Sequence, residues 1–279
     1  MPTGTCLLCR GQQKELVNSH LIPASLYKSL RPTGFPNNDP MVMTRNLTTL
    51  SSRQITAHVF CAACEQRFNR EGETWSVSRL ATRRGFPLRD LIQRSQPICE
   101  DAVITFYSCN RIPPLRVESL THFAMGVFWK ASVYPWKVFG ESINKLAFGS
   151  YAERIRQYLA GIGGFPTNMS LMVHVDPLPN PFIAFHLPRA RKSGQLHWFD
   201  WYVNGVEFVL VVGRAIPTDM KDACIFSAPN HLIFLVRDLQ GHLNSVLKRS
   251  APPKKVSGNV LVAYEHYKKL RTNDPGASS

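Results

Sequence analysis

The chain has 279 residues, which at roughly 150 residues per domain gives a prior of about two domains. Its hydrophobic content of 44% and charged content of 19% are typical of a globular protein and exclude a disordered or fibrous chain. With 33 basic and 19 acidic side chains, the formal net charge is +14. A polyanion is therefore the expected partner, most simply a nucleic acid, with a membrane surface as the other candidate.

The sequence shows no targeting segment. The first residues lack the basic region of a signal peptide, and the most apolar run, Val206–Val212, is far shorter than the ~20 residues that a membrane helix needs. We therefore expect a cytoplasmic protein that does not enter a membrane. In that compartment, seven cysteines favour metal binding or thiol chemistry over a disulfide framework.

Composition divides the chain into three parts. Residues 1–95 hold four of the seven cysteines, many arginines and a loop rich in Pro and Asn at 31–40, and we expect them to form a small zinc-bound domain. Residues 96–250 form the second predicted domain, with helices within 118–160 and strands within 170–238. Residues 251–279 are expected to be a basic C-terminal tail that starts with a Pro-rich linker and includes a short helical pattern. The predicted fold class is α+β.

Periodicity predicts two helices in the second domain. Apolar residues at helical spacing from Leu120 to Ala131 form one buried face. A second helix is expected to begin at Ser150, because Glu153 three residues later completes a capping-box pattern, and to end at Gly161.

Short segments rich in β-branched and aromatic residues follow, and they predict an antiparallel sheet or a small barrel. Asn204-Gly205 predicts a tight hairpin between two of the strands. The predicted strands are Leu171–Val175, Phe182–His186, Trp198–Val203, Val206–Ile216, Ile225–Phe226 and Leu232–Val236, and an earlier strand is expected at 101–107.

Two Cys-x-x-Cys pairs in the first domain predict a metal site. Cys6 and Cys9 form the first pair, and Cys61 and Cys64 form the second. Two such pairs supply the four thiolates of a closed tetrahedral zinc site, which stabilises a fold without an open position for catalysis. The alternatives are four unrelated buried cysteines or a thiol redox function.

The residues around these pairs resemble a known family. Asn18-Ser19-His20-Leu21-Ile22-Pro23 follows the first pair, and Glu65 follows the second directly. This order is similar to that of the HNH endonucleases, which have a treble-clef, ββα-metal fold, and to a prokaryotic branch of that family with Ser-His-x-Ile-Pro and Cys-x-x-Cys-Glu. The resemblance covers roughly residues 1–80.

The resemblance implies a catalytic role for His20. In the family, a histidine at this position ends a strand and deprotonates the attacking water, while a divalent cation, Mg²⁺ or Mn²⁺, binds the scissile phosphate. The family has an acidic metal ligand immediately before this histidine, whereas this chain has Ser19. A structural histidine bonded beneath the zinc site is the alternative for His20.

A carboxylate on the following helix offers a replacement for the missing acidic ligand. If a helix begins at Cys64, then Glu65, Asn69 and Glu73 lie on one face, where they can present oxygen ligands to a cation. Asn18 and His58 are further candidates. The alternative for Glu65 is a favourable charge at the positive N-terminus of the helix.

Arginines are dense in the same region. Arginine guanidinium groups bind phosphates in a bidentate manner, and the resemblance implies nucleic acid, expected to be double-stranded DNA, as the partner. The candidate binding residues are Arg53, Arg67, Arg70, Arg83 and Arg84.

The sequence thus favours a metal-dependent HNH-type endonuclease, with defence against foreign DNA as the role that the family suggests. The remaining α+β region would then sense a ligand, a partner or a nucleic-acid structure, and a regulatory protein or a homo-oligomer is a further expected partner. The alternative is a non-catalytic zinc module that binds nucleic acid or protein after its nuclease site has decayed.

Overall fold

The structure is a computed structural model that describes residues 1–31, 39–179, 181, 183–193, 196–226, 231–241, 244 and 255–272. Several predicted features therefore lie outside the described residues: most of the loop at 31–40, Phe182, the linker at 251–254 and the last residues of the tail.

The first part of the chain alternates short strands with short helices. A single π-helical turn, Asn69–Glu73, connects two of the helices without a break. The elements are β1 Thr3–Gly4, β2 Lys14–His20, α1 Ala24–Ser29, β3 Met41–Met43, β4 Leu47–Leu50, β5 Thr56–Cys61, α2 Ala62–Phe68, α3 Thr74–Val77 and α4 Pro87–Gln93.

The second part has one long helix and most of the strands. Its elements are β6 Cys99–Glu100, β7 Ile104–Ser108, α5 Val117–Val133, β8 Lys137–Val138, β9 Glu141–Ser142, α6 Tyr151–Leu159, β10 Met169–Val175, β11 Arg189–Ser193, β12 Leu196–Val203, β13 Val206–Val212, α7 Thr218–Asp222 and β14 Leu232–Val236, followed by β15 Lys255–Val256 and α8 Gly258–Thr272.

The largest sheet is open and has seven strands, in the order β11-β12-β13-β10-β14-β7-β6. All of its pairs are antiparallel except β10 with β14, which is parallel. Strands β1, β2 and β5 form a second sheet, and β15, β4 and β3 form a third. The third sheet packs the start of the C-terminal tail against the first part of the chain, because Lys255 pairs with Leu47.

The α+β class is confirmed, and several local predictions are confirmed with it. Asn204 and Gly205 both have positive φ, 41° and 84°, as a type I′ hairpin turn requires. Gly161 ends α6 at φ 71°, and its N–H donates to Tyr158 while that of Ile162 donates to Gln157, which is a Schellman arrangement. No helix within the described ranges has both the length and the apolar character needed to cross a bilayer.

Other local predictions are wrong. Ser150 makes no side-chain cap, because its backbone is already helical, at φ −64° and ψ −18°, rather than extended as an N-cap requires. Glu153 is bound by Arg156 at 2.8 Å and so does not complete the capping box. Among its described residues, the predicted strand ending at His186 contributes one isolated bridge, between Phe185 and Val203, and no regular strand. Ile225 and Phe226 lie in a turn rather than in a strand. Of the two predicted arrangements, a sheet or a small barrel, the structure has the open sheet, with one parallel pair among its antiparallel pairs.

Helix α5 is the centre of the hydrophobic core. Thirteen of its 17 residues are buried, so the helix is covered on all sides. On one side, Trp129 stacks on Phe60 of β5 with ring centroids 5.8 Å apart. On the other side, the Phe123 ring packs edge-on against Phe208 of the large sheet, with ring centroids 5.9 Å apart. The same core therefore includes the region of the cysteine pairs and the large sheet.

A buried ion pair crosses this core. Lys130 of α5 donates to the Glu73 carboxylate at 2.9 Å, and the two side chains are only 1% and 12% exposed. The ammonium group also lies 4.2 Å from the centroid of the Phe68 ring. Because both charges have lost most of their hydration, each depends on the other for its stability.

We expect Glu73→Gln to destabilise the fold by about 3 kcal/mol or more, because it leaves the Lys130 charge buried without its partner. The matched control is Glu71→Gln, two residues away. The Glu71 and Arg70 side chains of that salt bridge are 41% and 62% exposed, and the bridge is expected to contribute less than about 1 kcal/mol. Urea denaturation measures both. Equal losses of stability in the two variants would contradict the role of Glu73 as the partner of a buried charge. Adding Lys130→Met to Glu73→Gln removes that charge and should recover part of the lost stability.

Candidate functional site

The four cysteines of the two Cys-x-x-Cys pairs form one cluster. The sulfur atoms of Cys6, Cys9, Cys61 and Cys64 all lie within 4.8 Å of one another. A tetrahedral zinc ion with Zn–S bonds of about 2.3 Å requires sulfur–sulfur distances of about 3.8 Å. The Sγ atoms of Cys9 and Cys61 are 3.9 Å apart. The cluster therefore suits a metal ion such as zinc, as the cysteine spacing predicts.

Local backbone geometry prepares this cluster. The first pair lies in a tight loop in which the Cys6 N–H donates to Gly11 and the Arg10 N–H donates to the Cys6 carbonyl. The second pair flanks the start of α2, with Cys61 at the N-cap. The Cys61 N–H also donates to the Cys6 sulfur at 3.3 Å. Backbone N–H groups and a helix N-terminus both favour thiolates over thiols.

The thiols are also coupled to one another. A hydrogen bond from the Cys64 thiol lowers the pKa of Cys6 to about 4, against the opposing effect of burial. The same bond, together with burial, raises the pKa of Cys64. A bound cation would replace the proton that these two sulfur atoms share.

His20 is the last residue of β2 and is partly exposed. It pairs with Thr56 of β5, and Asn18 pairs with His58, so these four side chains share one face of the antiparallel β2–β5 pair. Thr56 and Cys61 are separated by five residues along β5, or about 16 Å at ~3.3 Å per residue. The His20 end of this strand pair is therefore well separated from the cysteine cluster.

Glu65 lies in the first turn of α2, the helix that packs against β2. Its Oε2 atom is buried and has no hydrogen-bond partner among the described residues. Asn69, one turn later, is exposed, and its N–H donates to the Glu65 carbonyl. A buried carboxylate oxygen without a donor is costly, and a bound cation is one of the few groups that would compensate for it.

The predicted ligand face does not extend to Glu73. The α-helical spacing ends at Phe68, and the π-helical turn from Asn69 to Glu73 changes the direction of the residues that follow. The Glu73 carboxylate is also already paired with Lys130. The i, i+4, i+8 pattern in the sequence indicates neither the π-helical turn nor the ion pair with Lys130.

The candidate arginines differ in their surroundings. Arg70 is paired with Glu71, and the Arg53 guanidinium lies 6.0 Å from the Phe139 ring centroid. Arg67 is partly buried next to Gly161. Arg83 and Arg84 are exposed, and their side chains make no ion pair within the described residues. These last two are the most available to a phosphate.

A second group of charged side chains, absent from the sequence predictions, lies on the large sheet. Asp200 is 1% exposed and accepts hydrogen bonds from Arg189 at 2.7 Å and Arg191 at 2.5 Å. Glu207 accepts from Arg191 and bonds His174 Nδ1, both at 3.1 Å. The sequence indicates this group only through the alternation of Asp200 and Glu207 with apolar neighbours along their strands. That alternation places both carboxylates on the sheet face opposite to α5.

Comparisons of this chain with models of protein families, with curated proteins and with solved structures found no match.

We expect Cys64→Ser to abolish metal binding at the cysteine cluster, with loss of about one zinc per chain and a large drop in stability, because a structural zinc contributes binding free energy directly to folding. Cys99→Ser is the matched control, because Cys99 is an exposed thiol outside the cluster. Elemental analysis and urea denaturation measure the two effects. If both variants kept their zinc and stability, the cluster would not be a metal site.

Proposed function

We propose that this chain is a metal-dependent endonuclease of the HNH type, and that its first part is a zinc-stabilised treble clef. The observation that carries the proposal is the buried Glu65 oxygen, which has no hydrogen-bond partner among the described residues, on a helix that packs against the strand ending at His20. Metal-assisted phosphodiester hydrolysis uses a general base and a carboxylate that holds the cation. Glu65 starts at the cysteine-cluster end of β2, so its side chain would have to extend along β2 towards His20 to share a cation site with it.

The order of elements supports the treble clef. The loop with Cys6 and Cys9 leads into β2, the antiparallel strand β5 ends at Cys61, and α2 begins at the next residue. A zinc ion bound by both pairs would fix the start of α2 relative to strands β2 and β5. It would thereby fix the position of Glu65 relative to β2, without taking part in the reaction itself.

In this proposal, His20 accepts the proton of the attacking water. The Glu65 carboxylate, assisted by Asn69, holds a divalent cation such as Mg²⁺ or Mn²⁺. When bound, that cation supplies charge stabilisation to the scissile phosphate and the leaving oxygen. The imidazole suits this role because a ring nitrogen can accept a proton from water.

Charge supports nucleic acid, and double-stranded DNA in particular, as the substrate. The chain carries a net charge of +14, and Arg83 and Arg84 are exposed on the region that follows the candidate site. Phosphate contacts by such residues supply affinity that does not depend on sequence. We propose defence against foreign DNA as the role, on the resemblance to the HNH family alone.

Ser19 favours a second candidate function, a non-catalytic zinc module that binds nucleic acid or protein. The residue that would carry the family's acidic ligand is a serine with 0% exposure, and its hydroxyl donates to the carbonyl of Val17. If Glu65 does not replace that ligand, the chain would bind DNA without cutting it.

We expect His20→Ala to lower the rate of Mg²⁺-dependent plasmid cleavage by about 100-fold or more, the usual contribution of a general base. His197→Ala is the matched control, because His197 is an exposed histidine of β12. Gel mobility shift of the same DNA should be unchanged in both variants. Binding without cleavage by the wild type would favour the second candidate, and cleavage that survives His20→Ala would overturn the first.

We expect Glu65→Gln to raise the Mg²⁺ concentration needed for half-maximal cleavage by about tenfold or more, because the amide loses the charge that attracts the cation. Glu15→Gln on β2 is the control, since Glu15 is exposed. A metal titration of the cleavage rate separates the two. The same Mg²⁺ dependence in both variants would exclude Glu65 as a ligand.

A further inference from the structure

A cavity of about 340 Å³ opens between the start of α6 and one end of the large sheet. Three separate parts of the chain line it: Ser150, Tyr151 and Arg154 from α6 and its N-cap, Asn168 from the residue before β10, and Arg214 from the loop after β13. None of these residues belongs to the proposed nuclease site.

The register of the sheet brings the last two parts together. Met169 of β10 pairs with Val212 of β13, and just beyond this pair the Gly213 N–H donates to the Asn168 carbonyl at 3.2 Å. Arg214 is the next residue, so the strand pairing fixes its backbone beside Asn168. Arg154 lies one turn into α6, on the same side of the helix as Ser150.

The charge of the lining is entirely positive. It contains two arginines and no acidic side chain. Across the described parts of the chain, neither guanidinium lies within ion-pair distance of a carboxylate. The nearest acidic residue in sequence, Glu153, is bound by Arg156 and Arg10 instead. Arg154 and Arg214 are both exposed, and an anion bound between them would pair with both guanidinium groups.

Polar atoms at the cavity also lack partners. The Ser150 hydroxyl makes no cap bond to the helix, so it remains available at the positive end of α6. The Asn168 Oδ1 atom is buried and has no hydrogen-bond partner among the described residues. The other polar atom of this amide, Nδ2, carries two N–H donors, and an Asn168 NH₂ group directed into the cavity would donate to an anion.

We propose that this cavity binds the phosphate group of a small phosphorylated molecule. Arg154 and Arg214 pair with the phosphate oxygens, and Ser150 and the Asn168 amide donate hydrogen bonds to it. The cavity is at the lower end of the ~300–1,000 Å³ typical of ligand sites, which is more than a lone phosphate needs. The remaining space lies next to Tyr151, whose ring packs against the organic part of the ligand. This proposal does not depend on the nuclease proposal.

Calorimetric titration of the 279-residue chain tests this site with five compounds. Three are small molecules: inorganic phosphate, AMP and adenosine. The other two are a 5′-phosphorylated oligonucleotide and the same oligonucleotide with a 5′-hydroxyl group. All titrations use chloride to match ionic strength. We expect phosphate and AMP to bind and adenosine not to bind. If the phosphorylated oligonucleotide binds more tightly than its 5′-hydroxyl form, the phosphate comes from the end of a nucleic acid. If the two oligonucleotides bind equally while AMP binds, the ligand is a free small molecule.

We expect Arg154→Gln and Arg214→Gln each to weaken AMP binding by about tenfold or more, since each removes a charge-assisted hydrogen bond. Arg111→Gln is the matched control, because Arg111 is exposed and outside the cavity. Arg214→Lys keeps the charge but not the bidentate geometry, and we expect intermediate affinity. His20→Ala should leave AMP binding unchanged, so that this result and the nuclease result are independent. If AMP bound no better than adenosine, or if both Gln variants matched Arg111→Gln, the proposal would be wrong.

Discussion

The backbone of α5 passes so close to the π-helical turn that a β-carbon at Gly72 would lie 2.6 Å from the amide nitrogen of Phe123. Only glycine permits this approach, because any other side chain would collide with main-chain atoms that cannot move independently. The contact brings the Phe68 ring and the Glu73 carboxylate to Lys130. The helix that carries Cys64 and Glu65 is therefore held to the central helix of the core by van der Waals contact, by aromatic packing and by a buried charge pair.

Helix α6 connects the cysteine cluster to the rest of the molecule at a second point. Arg156 is 8% exposed, and its Nη1 donates to the Leu8 carbonyl, within the loop between Cys6 and Cys9, at 2.5 Å. Glu153 holds the same arginine and also Arg10. The cavity with Arg154 lies at the start of this helix. The same helix therefore lines the cavity at its start and supports the loop of the first cysteine pair through Arg156.

How much of this could be read from the sequence depends on whether the signal was local. The cysteine cluster, the Asn204-Gly205 turn and helix α5 follow from spacing and periodicity, and the structure confirms them. The π-helical turn, the Lys130–Glu73 pair and the parallel pairing of β10 with β14 depend on contacts between distant residues, and no local pattern encodes them. The capping box failed for the same reason, since Arg10, 143 residues away, also competes for Glu153.

Burial explains why a carboxylate at the position of Ser19 would be unfavourable in this chain. Ser19 has 0% exposure and lies on the opposite side of β2 from His20, so an aspartate there would lose its hydration without a cation to compensate. Glu65 is less buried than Ser19, because part of its side chain remains exposed while one oxygen is directed inward. If Glu65 is the cation ligand, as we propose, β2 needs no buried carboxylate. The position of Glu65 depends on the cysteine cluster, because Cys64 is the residue immediately before it.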